Sequence, residues 1–393
     1  MSNRNDGYNT SRNINTAKAT HGTNPHAAGY KGNPNPQPQR PQSRGSKRKK
    51  SKARGCLIAT LCIMLAVLVP LGGIYMWVSS NINSGEDGSI REEIKTAPEF
   101  KGDVVNILVA GIDYEEGRQA KLTDMIMYVH FDVKNNTFNM FQIPRDTFVG
   151  EDLSTGKTGK VNALYWNAPD KDNRMGALTD AIADQFKLPI DYYATIEMES
   201  MKLIVDIIGG IDVYVPRDME YKGSKLEKGM RRLDGDAAEF FVRNRHGSGF
   251  ERADIDRLEM QRYFYSALFR SLRTLTVGDL MKLMPTLLYN INTDMPPETC
   301  MGLGAKLLKV PSSNIMMCRM PVFAAAEKYN NLSIVVAAPN EIAEVLNTYF
   351  RTYTEPVPAE SLNLAPWPTT GSVIDAAVQY MGEIDADGGA PAA

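Results

Sequence analysis

Residues 125–143, MIMYVHFDVKNNTFNMFQI, indicate the fold class of this chain of 393 residues. Two runs rich in β-branched and aromatic residues, 125–133 and 137–143, flank the tripeptide KNN at 134–136, which suits a hairpin turn. A third apolar run, VVNILVA at 104–110, precedes them and ends at a glycine. The sequence therefore predicts a β-hairpin that follows one further strand.

Helical and extended patterns alternate along the chain as far as residue 350. Further strands are predicted at 192–198, 211–215, 315–321 and 332–336. Helices are predicted at 177–186, 199–207, 236–245 (whose end also suits an extended segment), 254–275, 277–290 and 339–350. Strands that alternate with helices, together with one clear hairpin, predict an α/β fold. We expect an α/β/α-type sandwich with a mixed central sheet.

The net charge of -2 conceals a basic head and an acidic body. Residues 1–54 contain twelve Lys and Arg but a single acid, Asp6, whereas residues 55–393 contain 32 basic and 45 acidic residues. This asymmetry argues against a simple cytosolic enzyme. The hydrophobic content of 43% and the charged content of 23% exclude a wholly disordered chain, a collagen and a coiled coil.

Residues 56–78, CLIATLCIMLAVLVPLGGIYMWV, carry no charge and are long enough to cross a membrane. As a helix they would measure about 35 Å, against a bilayer core of about 30 Å. The basic cluster KRKKSKAR at 47–54 precedes them, and the first charges that follow are acidic. The positive-inside rule then predicts a cytoplasmic N-terminus. The long apolar core and long basic region favour an uncleaved signal anchor over a cleaved signal peptide.

Composition divides the chain into five predicted segments. These are a disordered basic cytoplasmic tail (1–55), the transmembrane signal anchor (56–78), an extracytoplasmic stalk (79–99), a folded domain (100–352) and a flexible C-terminal tail (353–393). A short helix is predicted near 372–382 within that tail. The expected location is the cell membrane, with a single pass and the folded domain outside. No nucleic-acid partner is expected, because the basic segment beside the span serves as a topology signal that attracts anionic lipids.

The cysteines and histidines of the folded domain give weak signals. Cys300 and Cys318 lie where a disulfide could form, and the sequence leaves that pairing open. Without a CxxC motif or a His/Cys cluster, a zinc site is disfavoured. His130 alternates with strand residues, which favours a structural role, whereas His246 beside arginines is equally consistent with anion binding and with a plain surface position.

Charged residues lie at the ends of three predicted strands. Asp113 follows the first strand, Asp124 precedes the second, and Arg145 follows the third. The carboxyl ends of strands are the usual binding edge of α/β sheets. Two carboxylates near arginines suit a divalent cation that bridges to phosphate, and Mg²⁺ prefers one or two carboxylates beside phosphate oxygens. Each residue taken alone is also consistent with a surface salt bridge.

Two further groups carry polar side chains at regular spacing. If their segment is extended, Arg243 and Arg245 point the same way and could hold a phosphate between two guanidinium forks. Asp254, Arg257 and Gln261, spaced by three and four, share one face of a helix. That face is either directed at a ligand or is simply the solvent-exposed start of the helix.

Taken together, these segments resemble the LytR–CpsA–Psr family of bacterial cell-wall enzymes. The resemblance rests on seven motifs that occur in the family's order: NILVAGID (106–113), TDMIMYVHFD (123–132), FQIPRDTFV (141–149), KVNALY (160–165), LIVDIIGGIDVYVP (203–216), LDGDAAEFFVRNRH (233–246) and DIDRLEMQ (254–261). Each motif alone is loose, but the set is specific. A signal anchor that precedes an outside domain is also the family's topology.

The resemblance implies an Mg²⁺-dependent phosphotransferase whose catalytic domain is 100–352. Such enzymes move a glycopolymer, for example wall teichoic acid or capsule polysaccharide, from an undecaprenyl pyrophosphate carrier to a peptidoglycan sugar hydroxyl. Metal binding would then fall to Asp113 and Asp124. Pyrophosphate binding would fall to Lys121, Arg145, Arg243, Arg245, Arg257 and Gln261. The catalytic residues would be Arg145, Arg243, Arg245, Asp254 and Arg257, with Asp254 orienting an arginine or acting as a base.

The resemblance also implies an apolar tunnel for the lipid, expected between the sheet and the helices that contain Leu268, Leu272 and Leu283. Two positions depart from the family's pattern, which usually has Arg where this chain has Leu122 and often has Arg where it has Met260. Two other functions use the same residues. One is a hydrolase that cleaves polyprenyl pyrophosphates with water. The other is a non-catalytic protein that binds lipid-linked precursors or regulates the envelope, which the loss at Leu122 favours.

Overall fold

The fold was obtained as a computed structural model of the chain. It describes residues 96, 99, 101–113, 121–247, 249–252, 254–276, 278–279, 283 and 291–387. The predicted cytoplasmic tail, the predicted membrane span and most of the predicted stalk lie outside these residues. Within the described residues, no helix combines the length and the apolar character needed to span a membrane.

Strands and helices alternate through the described residues, as the sequence predicts. The strands are β1 (Val104–Asp113), β2 (Leu122–Asp132), β3 (Thr137–Gln142), β4 (Tyr192–Glu197), β5 (Ile211–Val215), β6 (Met219–Tyr221), β7 (Ser224–Leu226), β8 (Gly229–Leu233), β9 (Ile291–Thr293), β10 (Ile315–Arg319), β11 (Val322–Ala325), β12 (Val335–Ala337), β13 (Thr369–Ile374) and β14 (Gln379–Tyr380). The α-helices are α1 (Leu164–Asn167), α2 (Arg174–Phe186), α3 (Met198–Ile207), α4 (Gly235–Arg243), α5 (Asp254–Arg273), α6 (Pro297–Leu307), α7 (Pro339–Tyr349) and α8 (Met381–Asp387).

A mixed sheet in the order β14-β10-β3-β2-β1-β4-β9 forms the centre of the domain. Strand β2 is antiparallel to both β1 and β3, so β1 and β3 run in the same direction. Strand β4 lies parallel to β1, and β10 lies parallel to β3. The predicted hairpin and the predicted mixed sheet are therefore confirmed.

Helices cover both faces of this sheet. Successive side chains of a strand point to opposite faces, and in β2 Tyr128 packs with Phe186 of α2 and Leu346 of α7. Its neighbour Met127 packs on the other face with Phe269 of α5. Both faces bury large apolar side chains, which confirms the predicted α/β/α sandwich.

A separate apolar cluster fixes helix α4 beside the sheet. Val213 of β5, Leu233 of β8, Phe241 of α4 and Phe264 of α5 are buried together in it. Met260, at the position where the family often has Arg, is also buried in this cluster. Because α4 ends at Arg243, the cluster determines where that arginine lies.

The C-terminal prediction is wrong in two respects. The region 372–382, predicted as a short helix, contains the end of β13 and strand β14, and helix α8 begins only at Met381. The predicted flexible tail 353–393 is also largely ordered, because β13 pairs with β11 and β14 pairs with β10. Pairing with strands more than 40 residues away leaves no local periodic pattern in the sequence. The predicted helix 277–290 lies mostly outside the described residues.

The two cysteines of the domain are both free thiols, which settles the pairing left open by the sequence. Cys318 is buried in β10, whereas Cys300 is exposed in α6. Burial raises the pKa of Cys318 to about 12, so this thiol stays protonated and unreactive near neutral pH.

Candidate active site

Strand direction brings three predicted site residues to one edge of the sheet. Strands β1 and β3 run the same way, so their carboxyl ends meet the amino end of antiparallel β2. Asp113 is the last residue of β1, Asp124 lies near the start of β2, and Arg145 follows β3. This geometry is what the strand-end argument predicted.

A β-bulge sets the position of Asp124. Gly111 pairs with Met125 but Ile112 pairs with Thr123, so Asp124 has no opposite residue on β1. Such bulges bend a strand and re-aim its side chains. A Cβ atom on Gly111 would lie 2.9 Å from Cβ of Met125, closer than real Cβ contacts allow. Glycine at this position therefore lets the two strands approach closely beside the bulge.

A cavity of about 360 Å³ opens at this edge and contains six of the predicted site residues. It is lined by Asp113, Leu122, Asp124, Arg145, Asp146, Thr158, Lys160, Asn162, Ala163, Arg243, Arg245, Arg257 and Leu332. The predicted clustering of four arginines with two aspartates is thus present in the fold. We refer to this space as the arginine cavity.

Each of the two aspartates is paired with an arginine. Arg145 Nη1 donates to Asp124 Oδ2 at 2.6 Å, and Arg243 Nη2 donates to Asp113 Oδ2 at 3.2 Å. Arg243 also contacts Glu239, one turn earlier in α4, at 2.8 Å. Burial disfavours the charged form of Arg145, but the carboxylates around it outweigh that effect and raise its pKa. Arg145 therefore stays charged at every physiological pH.

Asp254 lies behind the arginine cavity and contacts two of its arginines. Its Oδ1 is 2.6 Å from Arg257 Nη2 and 3.4 Å from Arg145 Nε. Burial raises the pKa of Asp254, although both arginines act in the opposite direction. Arg257 also donates to the main-chain oxygen of Asp124 at 3.2 Å, which ties helix α5 to the bulge.

Two predicted pyrophosphate ligands do not line the arginine cavity. Lys121 precedes β2 and lies 3.4 Å from Glu197 at the end of β4. Gln261 is buried and donates through Nε2 to the main-chain oxygen of Val242 at 2.9 Å. At the second turn of α5, the face that begins with Asp254 packs on the backbone of α4. Gln261 therefore contacts α4 instead of facing the cavity.

The sequence argument missed four polar residues of the cavity: Asp146, Thr158, Lys160 and Asn162. Thr158, Lys160 and Asn162 alternate along a segment whose main chain bonds to residues 147–149, and all three line the cavity. Lys160 Nζ lies 2.7 Å from Asp146 Oδ1, also in the cavity. Lys160 and Asn162 lie inside the motif KVNALY (160–165), which was the available signal.

The donor atoms of the cavity are compatible with a divalent cation. In the part of the chain that the structure describes, no group of three or more His, Cys, Asp and Glu side chains could hold a metal by itself. Mg²⁺, however, is often bound by one or two carboxylates plus phosphate oxygens and water. Asp124 Oδ1 is buried and has no hydrogen-bond partner among the described residues. Asp113 and Asp124 therefore fit the expected metal.

The histidines lie outside the arginine cavity. His130 is buried, with Nδ1 2.8 Å from Asn106 Oδ1 and Nε2 3.0 Å from Thr352 Oγ1. Its predicted structural role is therefore confirmed, and burial lowers its pKa to about 4. His246 stacks on Tyr221, with ring centroids 4.2 Å apart. This contact favours the surface alternative over anion binding.

The expected lipid tunnel is only partly covered by the described residues. Leu268 packs against the cluster formed by α4, α5 and β5, rather than against the central sheet. Leu283 is buried, but residues 284–290 lie outside the described part of the chain. The tunnel remains a prediction.

Sequence comparison relates the chain to named cell-wall proteins. It is 30% identical over 231 residues to the polyisoprenyl-teichoic acid–peptidoglycan teichoic acid transferase TagV of Bacillus subtilis, covering 54% of this chain and 56% of TagV. It is 30% identical over 219 residues to TagU of Bacillus mycoides, which has the same transferase name, covering 53% of this chain and 68% of TagU. The alignment thus spans little more than half of TagV.

Structural comparison agrees at the level of the fold. The crystal structure of Bacillus subtilis TagV superposes with a TM-score of 0.51 at 24% identity, covering 67% of this chain and 99% of TagV. The model of the LytR_cpsA_psr family matches residues 74–351, which include the whole arginine cavity. With most of its length inside that match, this chain belongs to the LytR_cpsA_psr family.

Proposed function

We propose that the chain is a membrane-anchored, Mg²⁺-dependent phosphotransferase. It would move a glycopolymer from an undecaprenyl pyrophosphate carrier to peptidoglycan. One observation carries the proposal: four arginines and three aspartates, among them the candidate metal ligands Asp113 and Asp124, line a single cavity of about 360 Å³. The similarity to TagV and TagU, named as polyisoprenyl-teichoic acid–peptidoglycan teichoic acid transferases, supports it.

The arginines suit the diphosphate of the carrier. Guanidinium groups are planar and bind phosphate oxygens through two parallel hydrogen bonds. Arg243 is the last residue of α4 and Arg245 lies two residues later, while Arg145 follows β3 and Arg257 extends from α5. Phosphoryl transfer depends mainly on positioning and on neutralising charge that spreads over the transferred group. A cavity lined by several cations provides both.

Asp254 would orient the arginines. It contacts Arg145 and Arg257 from behind and does not line the cavity, so it is poorly placed to take a proton from a substrate. Both guanidinium groups would otherwise repel each other and turn away. We therefore favour the orienting role over the role of general base.

Asp113 and Asp124 would hold Mg²⁺ at the edge of the cavity. When bound, the cation would neutralise charge on the phosphate oxygens. The two aspartates already pair with Arg243 and Arg145, so metal binding would leave these guanidinium groups free to bind phosphate. An acceptor hydroxyl oxygen would form the new bond to the phosphorus that bears the glycan and would lose its proton to solvent. The bond between that phosphorus and the bridging oxygen of the pyrophosphate would break, and the lipid phosphate would leave with the electron pair.

The proposed location is the cell membrane, with the N-terminus in the cytoplasm and the arginine cavity outside. The uncharged run 56–78 and the basic cluster before it support this topology. An enzyme held at that face would meet a membrane-embedded carrier directly.

A turnover assay tests the proposal. The full chain in detergent is given a synthetic polyprenyl pyrophosphate glycan, with and without Mg²⁺ and peptidoglycan fragments. A glycan joined to peptidoglycan supports the phosphotransferase. Release of the lipid that does not depend on the acceptor favours the hydrolase. Tight binding without turnover favours a non-catalytic protein, and Leu122, which lines the cavity where the family usually has Arg, would then explain the loss.

A further inference from the structure

A second and larger cavity lies beside the arginine cavity. Its volume is about 930 Å³, and it lies between residues 148–154, helix α2 and residues 363–367. None of the residues assigned to the proposed reaction lines it. We call it the acidic cleft.

The charge of the acidic cleft is opposite to that of the arginine cavity. Its lining carboxylates are Glu151, Asp152, Asp170, Asp180 and Asp184. No Lys, Arg or His is found among the described residues that line it. A cleft lined by one sign of charge repels ligands of the same sign. A phosphate-rich polymer is therefore excluded, and an uncharged or cationic ligand is favoured.

An aromatic platform forms one wall of the acidic cleft. The ring of Trp367 lies 5.0 Å from Phe148 and 5.3 Å from Tyr329, measured between centroids. The indole N–H donates to the main-chain oxygen of Glu327 at 3.1 Å, which fixes the plane of the ring. Trp367 nevertheless remains partly exposed. A sugar ring has apolar C–H faces and hydroxyl donors at its rim. The Trp367 ring could stack on such a face while the neighbouring carboxylates accept hydrogen bonds from the hydroxyls.

The two cavities share one segment of the chain. Asp146 lines the arginine cavity, and Phe148, two residues later, lines the acidic cleft. Likewise Ala163 lines the arginine cavity, and the next residue, Leu164, lines the acidic cleft. Consecutive Cα atoms are about 3.8 Å apart, so Asp146 and Phe148 lie within about 7 Å of each other. A chain of sugars in the cleft could thus extend to the phosphate site.

One wall of the acidic cleft comes from residues beyond the family match, which ends at residue 351. Asn363 holds this wall against α2, since its Nδ2 donates to Asp184 at 2.7 Å and its N–H donates to the Gln185 main-chain oxygen at 3.0 Å. Gln185 in turn donates to the main-chain oxygen of Val149 at 3.0 Å. The C-terminal segment therefore closes one side of a cleft whose other lining residues lie within the family match.

We propose that the acidic cleft binds the acceptor glycan, an uncharged, hydroxyl-rich saccharide strand, next to the arginine cavity. Only the role of the saccharide as the acceptor rests on the proposed function, because saccharide binding itself can be measured without turnover. Carboxylate oxygens accept hydrogen bonds from sugar hydroxyls, and such charge-assisted bonds are the stronger kind. The same carboxylates would keep the polyanionic donor polymer out of the acceptor position.

Binding of a β-1,4-linked N-acetylglucosamine tetrasaccharide to the full chain in detergent tests the proposal by calorimetry. Trp367→Ala should weaken binding by about tenfold, as expected for the loss of one ring contact. Trp367→Phe should retain most of the affinity, and it covers the case in which the alanine variant fails to fold. The double variant Glu151→Gln, Asp170→Asn should also bind more weakly. Its matched control is Asp212→Asn, Glu227→Gln, which neutralises two exposed carboxylates outside the cleft and should leave the affinity unchanged.

Equal affinity in all variants would overturn the inference, as would binding of Ca²⁺ or Mg²⁺ in the cleft with no binding of the tetrasaccharide. The transfer assay separates the two proposals. If the wild-type chain transfers glycan and the cleft variants transfer it equally well at low acceptor concentration, the cleft proposal fails and the phosphotransferase stands. The wild-type chain could instead bind the tetrasaccharide without any transfer, while the cleft variants bind it more weakly. In that case the saccharide site stands and the phosphotransferase proposal fails.

Discussion

Arg145 donates to the Asp124 carboxylate at 2.6 Å, which joins the segment after β3 to the bulge in β2. The contact links a predicted phosphate-binding residue to a predicted metal-binding residue. Occupancy of one by its ligand therefore changes the charge felt at the other.

Replacement of an arginine at the end of α4 should abolish turnover. Arg243→Ala or Arg245→Ala should reduce the rate by about 10²-fold or more, since each removes a cation that neutralises the transferred phosphate. Stability should change little, because the Arg243 side chain is partly exposed, at 38%. Turnover of the synthetic lipid-linked glycan measures this. Arg231→Ala, at an exposed arginine of β8, is the control, and near-normal rates in both site variants would refute the assignment.

Restoring the family's usual residue at position 122 should strengthen pyrophosphate binding in the arginine cavity. Leu122 lines the arginine cavity, so Leu122→Arg would add a guanidinium group beside Asp124. We expect tighter binding of polyprenyl pyrophosphate by about tenfold, which corresponds to one additional charge-assisted contact. Lys121→Ala is the control, because Lys121 faces Glu197 and should contribute little. Weaker binding in Leu122→Arg would mean that the apolar residue has a role of its own here.

Removal of the metal should stop the reaction. Chelation should eliminate transfer, and added Mg²⁺ should restore it, because Asp113 and Asp124 are proposed to hold the cation. Asp124→Asn should raise the Mg²⁺ concentration needed for half-maximal turnover, while Asp212→Asn, at an exposed aspartate, should leave it unchanged. Full activity in chelator would contradict the metal assignment.

A methyl group at residue 111 should disturb the bulge. Gly111→Ala would place a Cβ 2.9 Å from Cβ of Met125, and overpacking of this kind costs about 1–3 kcal/mol. Thermal unfolding would report the loss, and turnover should fall with it because Asp124 would move. Gly302→Ala is the matched control, since nothing lies within 4 Å of its Cβ position in helix α6. That variant should be neutral or slightly stabilised.

Acid should destabilise the domain through His130. Its pKa is about 4 in the folded protein, against 6.5 for an unperturbed histidine. Between about pH 4 and 6.5, His130 is therefore protonated in the unfolded chain but neutral in the folded chain. The free energy of unfolding consequently falls as the pH drops from about 6.5 to 4. The loss is on the order of 3 kcal/mol. His130→Gln should have lower stability at pH 7 but a flatter dependence over this range, measured by urea unfolding. An equally steep dependence would assign the effect to carboxylates.

Local patterns predicted most strands of the central sheet, and six of the nine predicted site residues line one cavity. The predicted strand ends placed Asp113, Asp124 and Arg145 at one edge of the sheet. These strand ends could be predicted because each strand is a clear apolar run in the sequence. Gln261 was misplaced because helical spacing gives the face of a residue but not what packs on it, and α4 occupies that face. The bulge at Asp124 left no signal, since one extra residue changes pairing without changing composition.

The late strands were missed for a related reason. β14 has only two residues, Gln379 and Tyr380, and is a strand only because β10 lies beside it. A contact between segments so far apart is a property of the folded chain, and no window of local sequence contains it.

The attachment of these late strands sets a practical limit on truncation. A chain cut at residue 351, where the family match ends, would leave β10 as an unprotected outer strand able to pair with other molecules. It would also remove the main-chain oxygen of Asp375, to which the fully buried Arg319 donates at 2.8 Å. A shortened protein would therefore tend to aggregate, and its inactivity would say nothing about catalysis.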